Sequence, residues 1–112
     1  MYVFLDLTAP EQAPRLNDRE NFQDFHVEVR GATDTQSLDQ ALRAADLGVA
    51  DEEGQAYLLP ESVRILAGDD RGAAWDEQFD GMVDYARSKG WWNEEHRGVA
   101  GHVVWVDEPK VD

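Results

Sequence analysis

Three groups of side chains in this 112-residue sequence have the types and spacing from which chemistry is built. The first is His26, His96 and His102, with Glu94 and Glu95 beside the second histidine. Imidazoles and carboxylates hold zinc, but a zinc site uses three or four ligands at clustered or helical spacing, as in H-E-x-x-H. Glu94-Glu95-His96 followed by His102 fits no such pattern. The expectation is no metal: His26 on the polar face of a strand, His96 at the surface, and His102 on a sheet with a hydrogen-bond partner. The second group is Asp51-Glu52-Glu53-Gly54. A calcium loop spaces its oxygen ligands and ends on a bidentate Glu. That spacing is absent here, and acidic residues before a glycine read as a turn. The third group is Asp76, Asp80 and Asp84, followed by the consecutive pair Trp91-Trp92. Carboxylates at i, i+4 and i+8 share one helix face, and an exposed tryptophan is a common anchor of protein contacts. Asp76, Asp80, Asp84 and Trp92 are therefore the candidate binding residues.

Catalytic signatures are missing. No G-x-S-x-G elbow, P-loop or dinucleotide fingerprint occurs, and most of the nine glycines sit at element ends. The chain has no cysteine, which removes disulfides, thiol nucleophiles, cysteine-ligated zinc and iron–sulfur chemistry. With 24 acidic residues some carboxylates fall close together in any fold, so their abundance says nothing about acid–base catalysis. The balance is against an enzyme, and no cofactor is expected.

The formal net charge of -14 is spread along the whole length. Such a field repels phosphate backbones and anionic lipid and favours basic partners. Neither nucleic acid nor membrane is expected as a partner. No window approaches the ~20 apolar residues of a membrane span, and Asp6 interrupts the apolar run Tyr2 to Leu5, so no signal peptide is read and the expected location is cytoplasmic. A plainer account of the acidity competes with an acidic docking face. Lys89 and Lys110 are the only lysines and Ile65 the only isoleucine, a bias that suits a GC-rich or salt-adapted proteome in which acidity serves solvation.

The elements that must position these groups follow from periodicity. Phe25, Val27 and Val29 alternate with His26, Glu28 and Arg30, the pattern of a half-buried strand over 25–30. A helix over 35–45 is predicted from Leu38, Ala41, Leu42 and Ala45, with Asp34 as N-cap or a second start at Ser37 and Gln40. A short strand at 56–59 leads into a short helix at 60–67 opened by Pro60, although Val63 and Ile65 also fit a strand. A second main helix spans 72–88. At ~100° per residue from Asp76, Trp75, Phe79, Met82, Val83 and Ala86 fall within about 240–340°, and Asp76, Glu77, Asp80, Asp84 and Arg87 within about 0–100°. Residues 99–106 read as a central strand covered on both faces near its end. Tyr2 to Leu5 reads as a strand or a frayed end, 8–21 as a loosely structured lead-in, and 107–112 as a charged tail.

The chain is expected to be one α+β domain of two layers, a small, mainly antiparallel sheet carrying two main helices and a short one. The helix pair 60–67 and 73–89 with a following hairpin invites a winged-helix comparison, but a recognition helix offers Arg, Lys, Asn or Gln to bases, and this one offers aspartates. The leading functional reading is a non-catalytic interaction module for a basic protein partner. Two others stand beside it: a ligand-binding or catalytic pocket near His102, Trp91 and Trp92, and a nucleic-acid mimic that occupies the basic groove of a DNA-binding protein. The sequence leaves the oligomeric state open.

Overall fold

The computed structural model describes residues 1–8, 14–31 and 34–106. Ten elements follow in order: β1 (Tyr2–Asp6), β2 (Arg15–Asn17), β3 (His26–Arg30), α1 (Thr35–Ala44), β4 (Gly48–Ala50), β5 (Gln55–Leu58), α2 (Pro60–Ala67), α3 (Ala73–Ser88), β6 (Trp92–Asn93) and β7 (Gly98–Val106). The seven strands form one mixed sheet in the order β2-β1-β3-β7-β5-β4, with β6 pairing β7 off this path. β1, β3 and β7 run parallel; the other pairings are antiparallel. This is the α+β architecture expected, with the three helices in their expected places.

Alternation decides which face is covered. Val3, Leu5, Val27, Val29, Ala56, Leu58 and Val99 are buried on one side of the sheet. They share a single core with Leu38 and Leu42 of α1, Val63 and Ala67 of α2, and Trp75, Phe79, Val83 and Ala86 of α3. Each such Val, Leu or Phe contributes about 1.5–3 kcal/mol by leaving water, so the helical stripes are where the sheet's stability lies. Asp34 caps α1 by accepting from the Ser37 N–H at 2.8 Å. Asp39 then ties α1 to β4 by accepting from the Ala50 N–H at 2.9 Å and from Arg43. Burial works to raise the Asp39 pKa, but these donors outweigh it and hold the carboxyl below its ordinary value.

Two expectations need correction. β7 is central, flanked by β3 and β5, but it is not covered on both faces. Its alternate residues His102 and Val104 are exposed, because all three helices pack on the other side. The lead-in at 8–21 is also less loose than expected: β2 lies within it, paired antiparallel to β1 through Leu16 and Val3. Residues 9–13 of that lead-in and the charged tail at 107–112 lie outside the described residues.

Candidate functional site

The aspartate row lies on α3 as its spacing requires, but its charges are largely answered from outside the helix. Asp76 accepts from Arg71 Nε at 2.8 Å and from Arg64 Nη1 at 3.3 Å. Asp80 accepts from Arg64 Nη2, and the same guanidinium reaches Glu61 through Nε at 3.0 Å. The Arg71 hydrogen bond, with Arg64 adding to it, holds the Asp76 carboxyl below the usual carboxylate range. Arg64 also stands 5.0 Å from the centre of the Phe79 ring, so it packs against the core as well as bridging α2 to α3. Asp84 makes no ion pair with any described residue.

The two tryptophans divide as an extended dipeptide should. Trp92 pairs with Val99 and packs against the core, and the Arg87 guanidinium lies over its ring at 4.1 Å. Trp92, Arg87 and Asp84 line a broad groove between α2 and α3, with Arg64 and Asp80 on its wall. Trp91 points outward and is 51% exposed. Its backbone is fixed at both sides: the Trp91 N–H donates to the Ala86 carbonyl at 2.8 Å, and its carbonyl accepts from the Ala100 N–H at 2.9 Å. Gly90, at φ +80°, makes the reversal out of α3 that permits this.

Trp91 forms one wall of a second, smaller pocket of about 90 Å³. Met82, Tyr85 and Ala86 of α3, residues 22–25 before β3, and Val99 and Ala100 of β7 line the rest. Tyr85 is 57% exposed and meets Trp91 edge-on, with ring centres 6.0 Å apart. The far wall is braced from behind. Phe22 packs on Trp75 at 5.6 Å between ring centres, and Trp75 Nε1 donates to the Arg19 carbonyl at 2.7 Å. Phe25 lies along β7 because residue 101 is glycine; a Cβ there would meet the Phe25 ring at 3.3 Å. Sequence reasoning named Trp92 as the binding tryptophan, placed Trp91 only in the alternative pocket near His102, and passed over Tyr85, Phe22 and Phe25. Tyr85 lies near 180° on the helical projection, outside both the apolar and the acidic arcs, which was the available signal.

The histidines lie elsewhere. On the helix-free face, Tyr2, His26 and His102 are in register on adjacent strands and their rings stack, at 4.8 Å and 5.5 Å between centres. His26 Nε2 is 2.8 Å from Glu28 Oε2. His96 stacks on Tyr57 at 6.3 Å. His102 lines neither the Trp91 pocket nor the Trp92 groove, and no three His, Asp or Glu side chains converge on a metal position among the described residues. Asp51 forms a turn: Oδ1 accepts from the Glu53 and Gln55 N–H groups at 2.9 and 3.0 Å, and Oδ2 from Tyr57 Oη at 3.2 Å. No helix among the described residues is long and apolar enough to cross a membrane.

Comparison with protein-family models, with curated proteins and with solved structures finds no match.

Proposed function

We propose that this protein is a non-catalytic, cytoplasmic interaction module that binds a basic protein partner, with Tyr85 and Trp91 as the apolar anchor of the contact. One observation carries the reading: two large aromatic side chains, each more than half exposed, meet edge to face beside an apolar pocket on a chain of net charge -14. Tyrosine and tryptophan supply much of the binding energy at protein interfaces, because each buries a large area with few rotors to freeze. The negative field supplies the long-range half of recognition by steering a basic partner towards the patch. Asp84, which makes no ion pair among the described residues, adds to that field. The mimic reading is less favoured, since Asp76 and Asp80 already hold guanidinium groups.

A photoreactive benzophenone side chain in place of the exposed Ser88, one turn from Tyr85, tests this. Irradiation in native extract should give a discrete cross-linked protein of high isoelectric point. Trp91→Ala should abolish that product, and added salt should weaken it. Cross-linking that is indifferent to Trp91→Ala would sink the proposal.

A further inference from the structure

The pocket between α3 and the segment before β3 is lined by four aromatic residues, Phe22, Phe25, Tyr85 and Trp91, with Met82 on the helix side and Gln23 and Asp24 beside them. Aromatic faces carry negative electrostatic potential, so rings gathered round a small space attract a cation that has shed its water. From this we infer that the pocket receives a methylated ammonium group, the end of a methylated lysine side chain on the basic partner; the inference rests on the interaction reading above.

Size, hydration and charge select this group. At about 90 Å³ the space is far below the roughly 300–1,000 Å³ of a small-molecule site, so it takes the tip of a side chain. It also exceeds the ~30 Å³ share of one water in the liquid. A bare ammonium, compact and strongly hydrated, leaves most of the room empty and gives up its water at high cost. Three methyl groups fill the space, weaken the hydration and keep the charge. The net charge of -14 opposes an anion and favours a cation, and Asp24 is among the residues that line the pocket. Tyr85 already shows its affinity for such a group, since Lys89 Nζ lies 5.4 Å from its ring centre. Two cations of this chain touch its lining residues, this Lys89 ammonium and the Met1 ammonium, which donates to the Asn21 and Asp24 carbonyls at 2.8 Å. Neither lines the pocket. The walls are held in place before any ligand arrives: Phe22 by Trp75, Phe25 by the flat surface at Gly101, Trp91 by backbone hydrogen bonds on both sides.

The test titrates the ¹⁵N-labelled protein with three basic peptides identical except at one position, following the Trp91 indole N–H resonance. One peptide carries trimethyllysine, one lysine, and one the neutral tert-butyl isostere of trimethyllysine. The trimethyllysine peptide should shift the indole signal and bind about tenfold or more tightly than the neutral isostere, the margin of a desolvated cation–aromatic contact. Trp91→Ala and Tyr85→Ala should each remove most of that margin, and Trp91→Phe should restore part of it. Equal binding of the neutral isostere, tighter binding of unmodified lysine, or no indole shift at millimolar peptide overturns the inference. Free tetramethylammonium that binds as tightly as the peptide also overturns it, because the ligand is then a small free cation. The two readings fail separately. If no peptide binds while Trp91→Ala still abolishes the cross-link through position 88, only the cation pocket falls; if that cross-link survives Trp91→Ala, both fall.

Discussion

Along one flank of α3, Asp76 and Asp80 face arginines from α2 and from the loop after it; along the other, Tyr85 meets Trp91 edge-on beside an open pocket. The first flank carries the louder sequence signal, three carboxylates at helical spacing. Most of that charge is spent inside the molecule, where Arg64 joins Glu61, Asp76 and Asp80 and fastens α2 to α3. The second flank has no periodic signal, yet it presents two aromatic rings to solvent. A row of like charges on a helix is a demand for counter-charge, and the fold can meet that demand from a neighbouring element. An exposed aromatic ring beside a pocket is a demand that this chain leaves unmet.

The largest effect that separates interior from surface on α3 belongs to Phe79. The side chain is 1% exposed, stacked on Trp75 at 4.9 Å and covered by Arg64. Phe79→Ala should lower unfolding free energy by about 3–5 kcal/mol in a denaturant titration. Tyr85→Ala, on the exposed side, should change it by no more than about 0.5 kcal/mol. Equal losses would mean that Tyr85 is a core residue and that the contrast between the flanks is illusory.

Arg64 gives the next effect. Its side chain is only 16% exposed and meets three carboxylates, so it lies between an exposed pair, worth at most ~1 kcal/mol, and a buried one, worth about 3–5 when broken. Arg64→Met keeps the packing on Phe79, removes the charge, and should cost about 1–2 kcal/mol at neutral pH. The sign of the pH dependence follows from Asp76, whose folded pKa is depressed, by Arg71 first and by Arg64 as well. Stability from such a carboxylate is present above the unfolded value of ~3.9 and is lost as pH falls through the lower folded value. The gap between wild type and variant should therefore hold from about pH 7 to 5 and close below about pH 4 in acid unfolding curves. A gap that persists at pH 2 would assign the loss to packing.

Elements with several turns or several alternations were legible in the sequence. The stripes Leu38/Ala41/Leu42/Ala45 and Trp75/Phe79/Val83/Ala86 placed α1 and α3, and Phe25/Val27/Val29 placed β3, because each repeats its period more than once. β2, β4 and β6 have three, three and two residues, too few to show a period, and they exist because β1, β5 and β7 offer edges to pair with. The open face was misread at β7 because Ala100, Val104 and Val106 look like covered positions. Glu28 and Arg30, the neighbours of Val104 and Val106 across the sheet, are polar, and register is invisible in one strand. The candidate site was half legible for the same reason. Consecutive tryptophans announce one inward and one outward ring, but the pocket wall joins Phe22 and Phe25 to Tyr85 and Trp91 across some 60 residues of sequence, and only the packed fold brings them together.

The smallest effect tests what the remaining charge on the first flank is for. Asp84 has no ion pair among the described residues, and Asp80 meets Arg64 from a largely exposed position. Changing both to Asn removes the repulsion between Asp80 and Asp84, worth a few tenths of a kcal/mol for like charges at i, i+4. It also weakens one exposed contact with Arg64 by a similar amount. The two nearly cancel, so stability should move by less than about 0.5 kcal/mol. The matched control is Asp51→Asn with Glu52→Gln, which removes equal charge; Asn keeps the oxygen that accepts the Glu53 and Gln55 amides. If the acidity serves solvation and general steering, both double variants should lower cross-linking through position 88 equally and modestly, and added salt should erase the difference from wild type by screening. If the α3 row is part of the contact, the Asp80/Asp84 variant alone should lose the product, although its stability is unchanged. The outcome expected from the geometry lies with general steering. Asp80 is already committed to Arg64, and Asp84 belongs to the Trp92 groove and not to the pocket that Trp91 walls.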